Sequence, residues 1–155
     1  MVQLAALSKK ECFDDPDLCL KVQKAIQELL ESRYASDEAS EEDILDASAE
    51  LGNAFMWTSQ YTNAWACYER AKEGYTRILG EDHVKTVEAD FRVATQTISS
   101  GGTLEDKIRE YRRVWEKAST LLPDEEITYL IAQELANELE KKSEFAEAKE
   151  VRRWC

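Results

Sequence analysis

Few side chains in this sequence are placed to do chemistry. The thiols are Cys12, Cys19, Cys67 and Cys155, the one imidazole is His83, and 32 Asp and Glu residues supply carboxylates. A structural zinc site needs a tetrahedral set of Cys or His ligands, paired at short spacing. The cysteines are separated by 7, 48 and 88 residues and form no CxxC pair, so neither a zinc site nor a dithiol redox centre is expected. His83 directly follows Asp82, with no nucleophile or second base beside it, and is expected to pack in a loop. Paired carboxylates act as acid and base only where a partly dry cleft drives their proton affinities apart, and here they recur at solvent-facing helical spacings. Gly101-Gly102 follows Ser99-Ser100 without the strand, lysine or glycine spacing of a phosphate-binding loop, so a turn is expected. No catalytic residue, metal or cofactor is expected, and the chain is read as a non-enzyme.

Without such chemistry, function must come from a surface, and the elements that build it follow from composition and periodicity. The 155 residues suit one domain, long enough to bury about two thirds of its unfolded surface. A disulfide scaffold is then unnecessary, and the cysteines are expected as reduced thiols of a cytoplasmic protein. Lys and Arg number 20 against 32 Asp and Glu, and the resulting charge of −12 repels phosphate backbones and anionic headgroups. Nucleic acid and membrane are therefore not expected partners. No apolar run approaches the ~18 residues of a membrane span, and Met1 to Leu7 enters Ser8-Lys9-Lys10-Glu11 without a cleavage site. With 5 Gly and 2 Pro and abundant Ala, Glu, Lys, Leu and Arg, the chain favours helix.

A repeat of 42 residues runs through it: Leu51, Val93 and Leu135 are each followed by a small residue, Gly52, Ala94 and Ala136. Phe55, Thr97 and Leu139 form a further column, and so do Tyr61, Thr103 and Phe145, with Leu104 the better apolar match if Gly101-Gly102 carries one inserted residue. Ser40, Asp82 and Asp124 read as one column of N-caps, and Asp17, Ser59, Gly101 and Ser143 as a second. These columns predict first helices over about 41–57, 83–99 and 125–141, and second helices over about 61–79, 103–121 and 145–155. Before them come a weak helix near 2–13, a turn at 14–17 and a helix near 18–35 with Leu18, Val22, Ile26 and Leu29 on one face. The expected organisation is a single repeat domain over 1–155: a partial unit at 1–36, repeats at 37–80 and 81–122, and a third at 123–155 with its second helix cut short.

Leu51-Gly52, Phe55, Ala64, Tyr68 and Ala71 fall on the tetratricopeptide (TPR) spacing, where small residues let two antiparallel helices touch and aromatics fill the gap between repeats. Leu79-Gly80-Glu81-Asp82-His83-Val84-Lys85-Thr86-Val87 resembles the LG-x-DHP-x-TL loop of the 42-residue repeats of kinesin light chains and their relatives, and Tyr68-Glu69-Arg70-Ala71 resembles their Y-x-R-A segment. Leu121 to Tyr129 is a degenerate second copy. Val84 stands in place of the loop proline, and Glu50, Arg92 and Glu134 in place of the asparagine typical of the inner helix. The heptad coiled coil that joins kinesin light chains to the motor is absent. The resemblance implies an all-α, TPR-like helical-hairpin solenoid, a right-handed superhelix that binds protein.

The stripes opposite the core on the first helices would line its groove: Asp46, Ala49, Glu50, Asn53, Met56 and Trp57, then Glu88, Phe91, Arg92, Thr95, Ile98 and Ser99, then Leu130, Gln133, Glu134, Asn137, Glu140 and Lys141. The expected function is a scaffold or adaptor that captures a peptide or helix. Trp57 and Phe91 would act as anchors beside Met56, Thr95 and Ile98, with Asn53, Arg92 and Asn137 orienting polar groups. Arg92 is expected to pair with Glu50 and Glu134 in a charge ladder. The alternatives are a structural subunit held by its convex face or ends, and, further off, a ligand-regulated receptor or enzyme. The end near Val151 to Cys155 is expected to leave Ile127, Ile131, Leu139 and Trp154 in need of cover, by self-association, by a partner subunit or by the rest of a longer native chain.

Overall fold

Ser40 begins the first continuous helix of the computed structural model, which describes residues 40–99 and 101–154 together with Lys21, Lys24, Glu28 and Ser32. Its Oγ accepts the Asp43 N–H at 3.1 Å while the Asp43 carboxylate accepts the Ser40 N–H at 3.3 Å, a reciprocal capping box that settles where the helix starts. Among the described residues there are six continuous helices and no strand: α1 (Glu41–Trp57), α2 (Tyr61–Leu79), α3 (Val84–Thr95), α4 (Leu104–Leu121), α5 (Glu126–Lys141) and α6 (Phe145–Arg152). Lys21, Lys24, Glu28 and Ser32 are helical and exposed, and their spacing makes them the solvent side of the helix expected near 18–35. The apolar face of that helix, the helix near 2–13, the turn at 14–17 and Cys12, Cys19 and Cys155 lie outside the described residues.

The 42-residue period is written into the backbone as three copies of one turn. The N–H groups of Gln60, Gly102 and Glu144 reach back to the carbonyls of Phe55, Thr97 and Leu139 at 2.9, 2.8 and 2.9 Å. Those of Ser59, Gly101 and Ser143 bond Met56, Ile98 and Glu140 at 3.1, 3.0 and 2.9 Å. These are Schellman helix stops, and the residue in each elbow is left-handed, with φ of 59° at Ser59, 92° at Gly101 and 67° at Ser143. That column, expected to cap helix starts, instead follows the ends of α1 and α5, and in the second repeat the same elbow closes the turn beyond α3. The other cap column is corrected by one residue. Ser40 is an N-cap, but His83 rather than Asp82 caps α3, its Nδ1 accepting the Lys85 N–H at 3.3 Å, and Glu125 rather than Asp124 precedes α5 without a side-chain cap bond.

Helix α3 also stops earlier than the period suggests, at Thr95 with Gln96 as C-cap. Thr95 and Thr97 donate their hydroxyls to the Arg92 and Ala94 carbonyls at 2.6 and 2.7 Å, so a polar β-branched run tightens the last turn. Between repeats, Thr86 and Thr128 are buried and donate to the carbonyls of Gly80 and Leu122 at 2.8 and 2.6 Å, tying each loop to the helix that follows it. This is the structural task of the threonine in the loop motif.

The chain divides into two units, Met1–Ile78 and Leu79–Cys155. In the first, α1 and α2 meet where Gly52 lies under the buried Tyr68 ring: a Cβ on residue 52 would stand 2.6 Å from Tyr68 Cε1. The ring is pinned by its hydroxyl, which donates to Asn53 Oδ1 at 2.8 Å, and Tyr75 donates to Asp46 Oδ1 at 2.6 Å. In the second unit, α3 to α6 share a core that includes Val87, Phe91, Ile108, Tyr111, Ile131, Leu135, Leu139 and Val151. Ile127, Ile131 and Leu139 are thus already covered by their own unit, contrary to the expected bare end.

Candidate protein-binding face

Helix α4 runs through the second unit as its ionic hub and so decides which faces of its neighbours stay free. Arg113 forks onto the buried Asp90 of α3 at 2.8 and 2.9 Å. Arg112 reaches Glu144 at 2.8 Å and Glu147 at 2.6 Å beside α6, and Lys107 reaches Glu138 of α5 at 2.8 Å. The hydrogen bonds that both guanidiniums donate to carboxylates hold them charged, raising their proton affinity against the opposing effect of burial. Burial by itself would raise the Glu138 carboxyl, but the hydrogen bonds from Lys107 and Lys141 outweigh it and hold the group below its ordinary value. The Tyr111 phenol is pushed up, first by burial and then by Glu134 and Glu138. Asp106, the capping-box partner of Thr103 at the start of α4, is held down at about 2 chiefly by the Thr103 hydroxyl.

With α4 on the core side, the outward stripes of α3 and α5 remain open. Ile98, in the turn that follows α3, is 48% exposed and Leu130 of α5 37%, with Gln133 exposed and Thr95, Glu134 and Asn137 half-buried. Phe91 is not on this stripe. It is 2% exposed and packs on Tyr111, ring centroids 5.3 Å apart, so it is a core residue and is withdrawn as an anchor. Arg92 is half-buried and pairs at 3.2 Å with Glu88 on its own helix rather than with Glu134. Asn137 accepts a hydrogen bond from Arg152 of α6 at 3.0 Å, which orients its amide from behind. On α1 in the first unit, Met56 and Trp57 are half-buried, and Asn53 is engaged by Tyr68 and donates to Glu50 at 3.4 Å.

Sequence reasoning included Leu130 in the stripe without choosing it, and missed Tyr129, which is 40% exposed. The aligned column would have flagged Tyr129, since a tyrosine stands where α3 has Val87. His83 is a helix cap, and among the described residues no three His, Cys, Asp or Glu groups converge on a metal-sized site. Cys67 is half-buried, and burial pushes its thiol up to about 11 against a weaker opposing hydrogen bond from Ser48, so it is a poor nucleophile. Among the described residues no helix is long and apolar enough to cross a membrane.

Solved structures of similar shape are also built of repeats. The chain matches a kinesin light chain-like protein of Podosopora anserina, described as having nearly identical TPR-like repeats, at TM-score 0.60 and 19% identity, over 97% of this chain and 74% of that one. A variant of the same protein matches at TM-score 0.60 and 19% identity over 97% and 73%. This chain has a TPR-like repeat fold. No protein-family model matches the sequence, and neither does any curated protein. The TPR-like architecture accounts for the open stripes: each helix pair gives one face to its neighbour and leaves the outward stripe of the first helix to solvent.

Proposed function

We propose that this chain is a non-enzymatic scaffold or adaptor that binds a peptide or helix of another protein on the outward stripes of its first helices. The observation that supports it most is the second unit's open stripe. There Leu130 on α5 and Ile98 in the turn after α3 stay exposed, although α3 and α5 bury Val87, Phe91, Ile131 and Leu135 almost completely. Apolar side chains left out of a well-filled core, with Thr95, Gln133, Glu134 and Asn137 supplying donors and acceptors among them, suit a peptide that needs both anchoring and backbone hydrogen bonds. Met56 and Trp57, with Asn53, form the matching stripe of α1.

A randomised peptide library displayed on phage tests this reading with the full chain as bait. Selected peptides should bind the native protein and lose at least about tenfold in affinity to the Ile98→Asp, Leu130→Asp double variant, the loss expected of anchor residues worth about 1.4 kcal/mol or more. Peptides that bind the folded double variant as well as the native protein would remove this face from consideration.

A further inference from the structure

We infer that Arg152 is a positioning residue for the binding face, turning the Asn137 amide so that its N–H groups meet a main-chain carbonyl of the bound peptide. The inference rests on the peptide-binding reading of the second unit's stripe. The repeat supplies the first observation. Asn53 and Tyr68 of the first unit recur 84 residues on, two periods of the repeat, as Asn137 and Arg152 of the second. In both copies the second helix donates to the side-chain oxygen of an asparagine on the first: the Tyr68 hydroxyl to Asn53 Oδ1 at 2.8 Å, and an Arg152 nitrogen to Asn137 Oδ1 at 3.0 Å. A phenol and a guanidinium differ in shape and charge and share only a donor at the end of a long side chain, so the feature that recurs is the orientation of the amide. The second repeat lacks it, because the asparagine column holds Thr95, whose hydroxyl is spent on the Arg92 carbonyl.

What each amide has left to offer then differs. Arginine carries no acceptor, so the Asn137 oxygen faces Arg152 and the N–H groups face away from α6. The guanidinium is itself held by Glu140, one turn beyond Asn137 on α5. Asn53 donates to Glu50 at 3.4 Å, whereas Asn137 makes no second hydrogen bond among the described residues. Glu134 stands in the Glu50 column, one turn before Asn137; it is half-buried and has no ion pair among the described residues. A donor and an acceptor therefore lie one turn apart on the open stripe of α5. A residue of extended chain points its own N–H and C=O to one side, so one such residue can donate to Glu134 while Asn137 donates to its carbonyl. Leu130, one turn before Glu134, then receives a neighbouring side chain.

Peptides selected by phage display on the full native chain, with affinities from titration calorimetry, test the assignment through a double-mutant cycle. Arg152→Met and Asn137→Ala should each bind about fivefold more weakly, and Arg152→Lys, which keeps a donor, should recover most of the loss, with helicity unchanged throughout. The Arg152→Met loss should vanish in the Asn137→Ala background, because the arginine acts through the amide. Alanine scanning of the peptide should leave that loss in place, since the acceptor is a main-chain carbonyl. In the free protein, Arg152→Met should shift the Asn137 side-chain signals in proton–nitrogen correlation spectra, and Arg152→Lys should shift them less. Losses that add in the double variant, Asn137 signals indifferent to Arg152→Met, or a loss that depends on one peptide side chain would each overturn the assignment. Peptides that bind the Arg152 and Asn137 variants at full strength but fail on the Ile98→Asp, Leu130→Asp protein overturn this inference alone, and peptides that bind every variant equally overturn the binding face with it.

Discussion

Lys107→Met should be among the most damaging single changes on the surface of this chain. Glu138 is 3% exposed and takes its hydrogen bonds from Lys107, whose side chain is 15% exposed, at 2.8 Å, and from Lys141, 62% exposed, at 2.9 Å. Removing one partner of a buried pair strands the other charge, at a cost of about 3–5 kcal/mol. Lys141 remains and offsets up to about 1 kcal/mol, as solvent-screened pairs do. The expected loss is about 2–4 kcal/mol, measured by urea unfolding followed by circular dichroism. Methionine keeps most of the stem volume, so the loss reports charge rather than packing, with a minor part from the contact of the ammonium with the Tyr111 ring at 5.1 Å.

Two controls make the reasoning refutable. The Lys107→Met, Glu138→Leu double variant removes both charges and should return to within about 1 kcal/mol of the native protein. The pH dependence has a definite sign. Glu138 is held below its ordinary value of 4.5 in the folded native protein, so its contribution is complete above that pH and fades as pH falls through the folded value. Without Lys107, burial dominates and raises the group instead. The gap between native and variant should thus be widest near neutrality and narrow in acid. A single variant within about 1 kcal/mol of native at neutral pH, or a double variant as weak as the single, would refute the argument.

The elbow column and the buried thiol give two more tests. Ser59→Gly and Ser143→Gly should each raise stability by up to about 1 kcal/mol, because their φ values of 59° and 67° strain an L-residue, and Gly101→Ala should lower it by about 1 kcal/mol; thermal melts showing the same sign at all three positions would be inconsistent with the repeated stop. Cys67, with its thiol near 11, should resist iodoacetamide at pH 8 in the native protein and react readily in urea, read by site-resolved mass spectrometry.

The helices were legible because their limits are local. Leu51, Val93 and Leu135 mark the period, and the first helix of the described segment ends at Trp57 as the pattern requires. The columns of small polar residues were legible as punctuation but not as the kind of punctuation. Serine is a good N-cap and is also tolerated in a left-handed elbow, and only the backbone distinguishes Ser59 as the second. Asp90 and Glu138 could not be picked out at all, since a carboxylate reads as solvent-facing until a cation 23 or 31 residues away is brought onto it.

The binding face was the least legible part, and Phe91 shows why. It precedes Arg92 in sequence and lies about 100° from it around the helix, so a rotation of about one residue decides whether its ring enters the groove or the core. Periodicity in one helix does not fix that rotation. The pairing of Asp90 with Arg113 does, because it turns that side of α3 toward α4 and carries Phe91 onto Tyr111.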